Sequence, residues 1–134
     1  MPKRTTIQKA RKDLREGKSP STAAGEFVRE EIDHVSEGKH GVRSARQAIA
    51  IGLSKARRAG IPLKPPSADK SSRTTRTKAK ADYKSGQTTP KTSDEGATRR
   101  GHAQLKAMKK EPTNTVSHSA LSRHSKGVAR RKQK

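Results

Sequence analysis

Residues 44–62 read SARQAIAIGLSKARRAGIP, and this stretch carries the most complete helix signal in the chain. Ser44 and Gln47 have the spacing of a capping box. Gly60 stands where a C-terminal stop belongs, and Pro62 prevents continuation of the helix. At 100° per residue, the small and apolar residues between these signals gather on an arc of about 140°. The pattern predicts one amphipathic helix.

The apolar arc of this helix predicts close packing against a neighbouring helix. Gly52 lowers helix propensity by about 1 kcal/mol relative to alanine, and a partner helix that approaches closely explains its presence. A weak point in a marginally stable helix is the alternative interpretation. The predicted helix-packing residues are Ala48, Ile49, Gly52, Leu53 and Ala56.

Two further helices are predicted upstream of this one. Residues 5–16 form the first and end at Gly17, and residues 20–37 form the second and end at Gly38. Together the three helices make a predicted three-helix module over residues 5–62. The second helix has an apolar face made of Ala24, Phe27, Val28, Ile32 and Val35. Its predicted outer face carries Glu26, Arg29, Glu30 and Asp33.

The composition leaves little material for a larger core. Of the 134 residues 26% are hydrophobic, and Phe27 and Tyr83 are the aromatic residues. The folded part is therefore expected to be short, and the predicted fold class is all-α. No stretch approaches the ~20 apolar residues of a membrane span. The N-terminal segment lacks the apolar core of a secretory signal, so a cytoplasmic protein is expected. A transit peptide is the alternative, which Asp13 and Glu16 disfavour.

Downstream of the module the chain is rich in Ser, Thr, Lys, Pro and Gly. Residues 63–96 are predicted to form a basic disordered linker, in which residues 75–84 have some helical character. Residues 97–134 are predicted to form a basic, partly helical tail, in which segments 97–110 and 117–131 can meet as a hairpin. So few apolar contacts hardly stabilise a hairpin in water, and a polyanion is expected to increase its order.

The charge of the chain indicates a polyanionic partner. Lys and Arg number 33 against 12 Asp and Glu, which gives a net charge of +21 and an isoelectric point near 11.2. Residues 1–62 contribute +7 and residues 63–134 contribute +14. A chain of this kind repels itself and binds nucleic acid readily.

Two groups of basic residues are the candidate nucleic-acid contacts. Arginine can hold a phosphate with two hydrogen bonds, and basic tails bind by counterion release without reading bases. A solvated cationic face that keeps the helix soluble is the alternative. The first group lies at the third helix and comprises Arg43, Arg46, Lys55, Arg57 and Arg58. The second lies in the tail and comprises Lys106, Lys109, Lys110, Arg123, Lys126, Arg130, Arg131 and Lys132.

No metal, cofactor or catalytic site is predicted. His34 and His40 are six residues apart, as are His118 and His124, and six positions turn the second ring far around a helix axis. Without cysteines beside them, all four are interpreted as surface histidines. The chain has no nucleophile elbow, P-loop or paired carboxylate motif, and its low apolar content disfavours a water-excluding pocket. Neither an enzyme nor a small-molecule substrate is expected.

Residues 43–60, RSARQAIAIGLSKARRAG, resemble a segment of the type KQAIAIGLSEARRAG that recurs in a family of small, basic bacterial proteins of unassigned function. The resemblance covers the middle part of the chain and implies family membership without implying a reaction, a ligand or a site. The basic tail also resembles those of bacterial histone-like proteins in composition.

These observations favour DNA binding without strong sequence preference, in a nucleoid-associated or architectural role. Three other hypotheses remain open: an RNA-binding or ribosome-associated protein, a hydrophilic stress-protective protein, and a protein-interaction module. In the last, the groove at Ala48, Gly52 and Ala56 would dock a partner helix. A helix-turn-helix reader would use Ser44, Arg46 and Gln47, but it also needs a dimer or a solid core.

Overall fold

Every secondary-structure element in the described part of the chain is helical. The computed structural model describes residues 4–69, 71–88 and 99–132, and in the last range the side chains of residues 103–127. The prediction of an all-α fold is therefore confirmed. None of the helices in these ranges is long and apolar enough to cross a membrane. The helices are α1 (Arg4–Arg15), α2 (Pro20–Ser36), α3 (Ala45–Arg58), α4 (Arg73–Thr88), α5 (Arg99–Lys109) and α6 (His118–Lys132), with a 3₁₀ turn at Asn114–Val116.

Helices α1, α2 and α3 pack around the fully buried ring of Phe27, with α2 between the other two. Ser19 caps α2, since its hydroxyl oxygen accepts a hydrogen bond from the Thr22 N–H at 3.3 Å, and Pro20 occupies the first turn. Small side chains dominate this core, so the helices come close together. Its buried members are Ile7, Ala10, Ala23, Ala24, Phe27, Ala56, Ala59 and Ile61.

Gly52 marks the closest approach of α3 to α2. A Cβ atom placed on Gly52 would lie 2.5 Å from the Cα of Val28 and 2.8 Å from its backbone nitrogen. Ala48 and Ala56, one turn before and after, are fully buried. Helix α2 thus fills the groove that the sequence offers to a neighbouring helix, and Ile49 and Leu53 lie half-buried. A partner helix from another protein would have to displace α2 to dock there.

Glycine ends the first three helices in the same way. Gly17, Gly38 and Gly60 have φ angles of 82°, 77° and 98°, which confirms the predicted helix stops. After Gly38, for example, the Lys39 N–H donates to the His34 carbonyl at 3.0 Å. This Schellman-type ending reverses the chain direction and strongly favours glycine, which has no Cβ to oppose a positive φ.

The segment predicted as a disordered linker contains α4, which packs against α3. Ala79 and Gly86 are the buried residues of this helix. Gly86 lies directly against the carbonyl oxygen of Arg57, where a Cβ atom would clash. Close backbone contact thus replaces an apolar face, which explains why hydrophobic periodicity did not predict this helix fully.

Polar contacts also hold α4 in place. Asp82 accepts a hydrogen bond from the Ser54 hydroxyl at 2.7 Å, and the Gln87 side-chain amide donates to the Gly60 carbonyl at 3.2 Å. Both contacts join α4 to the second half of α3 and to its glycine stop. The four residues come from segments about 28 positions apart, so no local sequence pattern records their pairing.

The carboxyl-terminal segment docks onto the loop between α2 and α3. The Gly41 N–H donates to the Met108 carbonyl at 2.8 Å, and the Val42 N–H donates to the Pro112 carbonyl at 3.0 Å. The hydroxyl of Thr115 donates to the Val42 carbonyl at 2.9 Å. These bonds tie together residues that lie about 70 positions apart in the sequence.

A second small core anchors this docked segment. Val116 is buried with Val35, Val42 and Ala48, and α6 packs on the 3₁₀ turn and on α3. In the described residues α5 and α6 do not pack against each other, in contrast to the predicted hairpin. Leu105, which the hairpin would cover, is 37% exposed. Val116 lies outside both predicted tail helices, so sequence periodicity did not indicate it as the anchor.

Candidate nucleic-acid interface

A basic cleft lies where the start of α3 meets the 3₁₀ turn and α6. Its volume is about 420 Å³. It joins residues from both groups of basic side chains that the sequence singled out, because docking of the tail carries α6 to α3. The cleft is lined by Arg43, Ser44, Ala45, Arg46, Asn114, Thr115, Ala120, Arg123 and His124.

Three arginines give this cleft its charge. Arg43, Arg46 and Arg123 are all exposed, and the Arg43 side chain has 78% of its surface open to solvent. The carboxylate of Glu111 lies beside Arg43, with its Oε1 3.4 Å from Arg43 Nε. An exposed ion pair of this kind is weak, so an incoming phosphate can compete with Glu111 for Arg43.

The first turns of two helices also face the cleft, since Ala45 begins α3 and Ala120 lies in the first turn of α6. The first N–H groups of a helix lack carbonyl partners within the helix, and they favour anions. Each helix has a serine cap: the Ser44 and Ser117 hydroxyl oxygens accept hydrogen bonds from the N–H groups of residues 47 and 120.

The polar atoms at the start of α3 serve its cap. Gln47 N–H donates to Ser44 Oγ at 3.2 Å, as the capping spacing predicts. The Gln47 side-chain oxygen accepts from the Arg43 N–H at 2.6 Å, instead of from the Ser44 N–H of a standard capping box. The side chains of Ser44 and Gln47 are thus engaged locally, which leaves Arg43 and Arg46 as the polar side chains at this helix start that can reach a ligand.

Lys55 lies inside the fold and not on the expected cationic face. Its side chain is 13% exposed, and its ammonium group forms an ion pair with Glu31, whose side chain is fully buried. The sequence assigned Lys55 to the surface because it lies off the apolar arc of α3. The acidic side of α2, however, also packs against this part of α3.

Arg57 and Arg58 are held against neighbouring segments. Arg57 is 9% exposed and its Nε donates to the Leu63 carbonyl at 3.2 Å. Burial lowers the pKa of Arg57, an effect that Asp82 opposes. Arg58 Nε lies 3.9 Å from Asp82 Oδ1 on α4. Of the five basic residues predicted at the third helix, Arg43 and Arg46 are therefore the two that the structure leaves exposed.

The tail supplies the other exposed residues among the predicted phosphate contacts. They extend along α5 and α6 and beyond the end of α5, on either side of the docked 3₁₀ turn. Arg130, Arg131 and Lys132 lie in the last turn of α6, and their side chains fall outside the described residues. The exposed members are Lys106, Lys109, Lys110, Arg123 and Lys126.

Two of the histidines interpreted as surface residues are buried. His34 is 9% exposed and His40 is 5% exposed. The spacing argument assumed that one helix continues through both residues. Helix α2 ends at Ser36 instead, and the turn at Gly38 brings His40 back against α2.

The two histidines meet the carboxylate of Glu31. His34 Nδ1 lies 3.5 Å from Glu31 Oε1, and His40 Nε2 lies 3.4 Å from Glu31 Oε2. Burial alone would raise the pKa of Glu31, but the nearby His34 imidazole and the charge of Lys55 outweigh it and lower this pKa to about 2. Glu30, which the sequence placed on the outer face of α2, is also buried.

Comparison of the chain with protein-family models, with curated proteins and with solved structures finds no match.

Proposed function

We propose that the protein binds DNA through its phosphates, without strong sequence preference, in a nucleoid-associated or architectural role. The observation that supports this proposal is the cleft in which Arg43 and Arg46, at the start of α3, converge with Arg123 from α6. A net charge of +21 surrounds it. In this view α1, α2 and α3 form a small module that carries the cleft, and the basic tail adds further phosphate contacts.

The chemistry of the cleft suits a phosphate group. Arginine guanidinium groups bind phosphate oxygens with paired hydrogen bonds, and two helix N-termini add backbone N–H donors and a favourable dipole. Since Ser44 and Gln47 serve the helix cap, the cleft offers few side chains for reading base edges. Contacts to phosphates alone give binding that depends on salt and hardly on sequence.

A triple variant, Arg43→Gln with Arg46→Gln and Arg123→Gln, tests the cleft directly. Loss of three phosphate contacts should reduce the slope of log affinity against log salt by about 2 to 3, and lower the affinity roughly 100-fold near 0.1 M salt. The measurement is fluorescence anisotropy of labelled duplex DNA with the full chain, over a series of salt concentrations.

The matched control removes the same charge away from the cleft, through Arg11→Gln, Arg15→Gln and Arg29→Gln on the exposed surfaces of α1 and α2. This control should keep the salt slope and lose clearly less affinity. Equal losses in both triple variants would mean that net charge binds DNA and the cleft does not. If the wild-type chain binds no duplex, the proposal fails, and if ribosomal RNA displaces duplex DNA at lower phosphate concentration, the partner is RNA.

A single substitution should have the opposite effect. Glu111→Gln removes the carboxylate that pairs with Arg43, so we expect DNA affinity at low salt to rise by roughly twofold to tenfold. Glu37→Gln is the control, because Glu37 is exposed, lies 3.4 Å from Lys39 and loses the same charge. An equal rise in both variants would show that the contact with Arg43 is irrelevant to binding.

A further inference from the structure

We infer that Glu31, His34 and His40 form a binding site for a divalent transition-metal cation, with Zn²⁺ the cation that best fits this set of ligands. One ligand atom from each of these three residues lies within 4.8 Å of the other two, and all three residues are buried. Two imidazoles and a carboxylate are a common zinc ligand set, with a fourth position left for water. This inference does not depend on DNA binding.

The hydrogen bond of His40 orients its ring for metal binding. His40 Nδ1 lies 3.2 Å from the carbonyl oxygen of Gly41, which can only accept, so Nδ1 must carry the hydrogen. In the neutral ring, Nε2 then presents a lone pair toward Glu31 Oε2 at 3.4 Å. Glu31 Oε2 is buried and has no hydrogen-bond partner among the described residues. Two acceptors that face each other in the interior need either a proton or a metal ion between them.

The spacing of these atoms suits a metal better than a direct hydrogen bond. Charge-assisted N–H···O hydrogen bonds measure about 2.7–2.9 Å. The two imidazole–carboxylate distances here are 3.5 Å and 3.4 Å. Two ligand atoms on one tetrahedral zinc ion, each about 2.0–2.1 Å from the metal, are separated by about 3.4 Å. The spacing of His40 and Glu31 Oε2 thus fits one ion, whereas His34 Nδ1 lies beside the other oxygen of Glu31 and would have to shift to join them.

The surroundings resemble the outer shell of a metal site. His40 has its second nitrogen on a backbone carbonyl, and His34 Nε2 lies 3.7 Å from the Glu30 carboxylate. Metal-bound imidazoles are commonly held by such partners. Lys55 contacts the other oxygen of Glu31 and repels a cation, so it should weaken metal binding without blocking Oε2.

A bound ion would stiffen the part of the fold that builds the cleft. His34 belongs to α2, whereas His40 begins the loop that carries Arg43 and hydrogen-bonds to the tail through Gly41 and Val42. Metal binding would therefore join the end of α2 to this loop through metal–ligand bonds, in addition to the packing of the small apolar core.

Histidine side-chain nitrogen spectra of the ¹⁵N-labelled full chain test this site without any mutation. On addition of one equivalent of Zn²⁺ we expect the resonances of His34 and His40 to shift, while those of His118 and His124 stay in place. If His34 and His40 do not respond to several equivalents, or if only the other histidines respond, the inference is overturned and a proton occupies this position.

Thermal unfolding of the wild type and of three variants provides a second readout. With excess Zn²⁺ over chelator, the melting temperature of the wild type and of His118→Gln should rise by roughly 5 °C, because the ion binds the folded state. His40→Gln should show no such rise, and Lys55→Met should show a larger one. A rise in His40→Gln equal to that of the wild type would contradict the site. If His40→Gln does not fold, the nitrogen spectra of the wild type decide.

Discussion

Replacement of Gly52 by alanine is expected to destabilise the protein by about 3 kcal/mol, at the upper end of the range for overpacked sites. The added Cβ would meet the backbone of Val28, which cannot rotate away as a side chain can. To relieve the clash, α3 has to move away from α2, which separates Ala48 and Ala56 from their neighbours. The measurement is urea unfolding of the full chain, followed by far-UV circular dichroism.

Gly25→Ala is the matched control for this prediction. Gly25 also lies inside a helix, α2, but a Cβ atom there would have nothing within 4 Å. The same substitution should therefore stabilise the protein by about 0.5–1 kcal/mol through helix propensity alone. If both glycine variants were stabilised alike, α2 and α3 would not be packed at Gly52.

Replacement of Lys55 by methionine is expected to lower the free energy of unfolding by about 3 to 5 kcal/mol, because it removes the ammonium partner of a fully buried carboxylate. Methionine keeps most of the apolar stem, so the effect reports the charge and not a cavity. The loss should be measured by urea unfolding in the presence of a chelator, so that no metal compensates for it.

Lys9→Met, on the exposed face of α1, removes one positive charge without touching a buried group. It should change the free energy of unfolding by no more than about 0.5 kcal/mol. DNA binding by the folded fraction of Lys55→Met should resemble that of Lys9→Met. If Lys55→Met kept its stability but bound DNA more weakly, Lys55 would instead be an exposed phosphate contact, as the sequence predicted.

Local signals in the sequence predicted the first three helices well. The cap at Ser44 and the stops at Gly17, Gly38 and Gly60 depend on a few neighbouring residues, so they can be read without knowledge of the fold. Gly52 also stood out, because glycine inside a strong helix pattern requires a physical reason. In each of these features, the residues that produce the signal lie within about one helical turn of each other.

The parts that sequence reasoning missed depend on residues far apart in the chain. Gly86 on α4 contacts the backbone of Arg57, and the tail contacts Val42 through Pro112 and Thr115. Neither contact leaves an apolar pattern behind. The glycine stops at Gly38 and Gly60 reverse the chain, so the residues that follow each stop return toward the helix before it. This reasoning would have predicted that His40 is buried against α2.

The candidate site was predicted only in part for the same reason. Arg43, Arg46 and Arg123 were among the predicted contacts, but nothing local indicated that α6 would bring Arg123 to the start of α3. Lys55 and Arg57 have the sequence pattern of surface cations and lie in the interior because α2 and the segment after α3 cover them. Helical periodicity identifies the apolar face of a helix. It does not identify a second buried face that consists of charged side chains.

The docking of the tail also has a consequence for chain length. Arg43 and Arg123 face one cleft although they are 80 positions apart in the sequence. Closing a longer flexible loop adds little entropy loss, about 0.6 kcal/mol for each doubling of its length. By this measure, flexible residues added between α4 and α5 would cost the cleft little stability, whereas one residue inserted between Gly41 and Val42 would put their hydrogen bonds to the tail out of register.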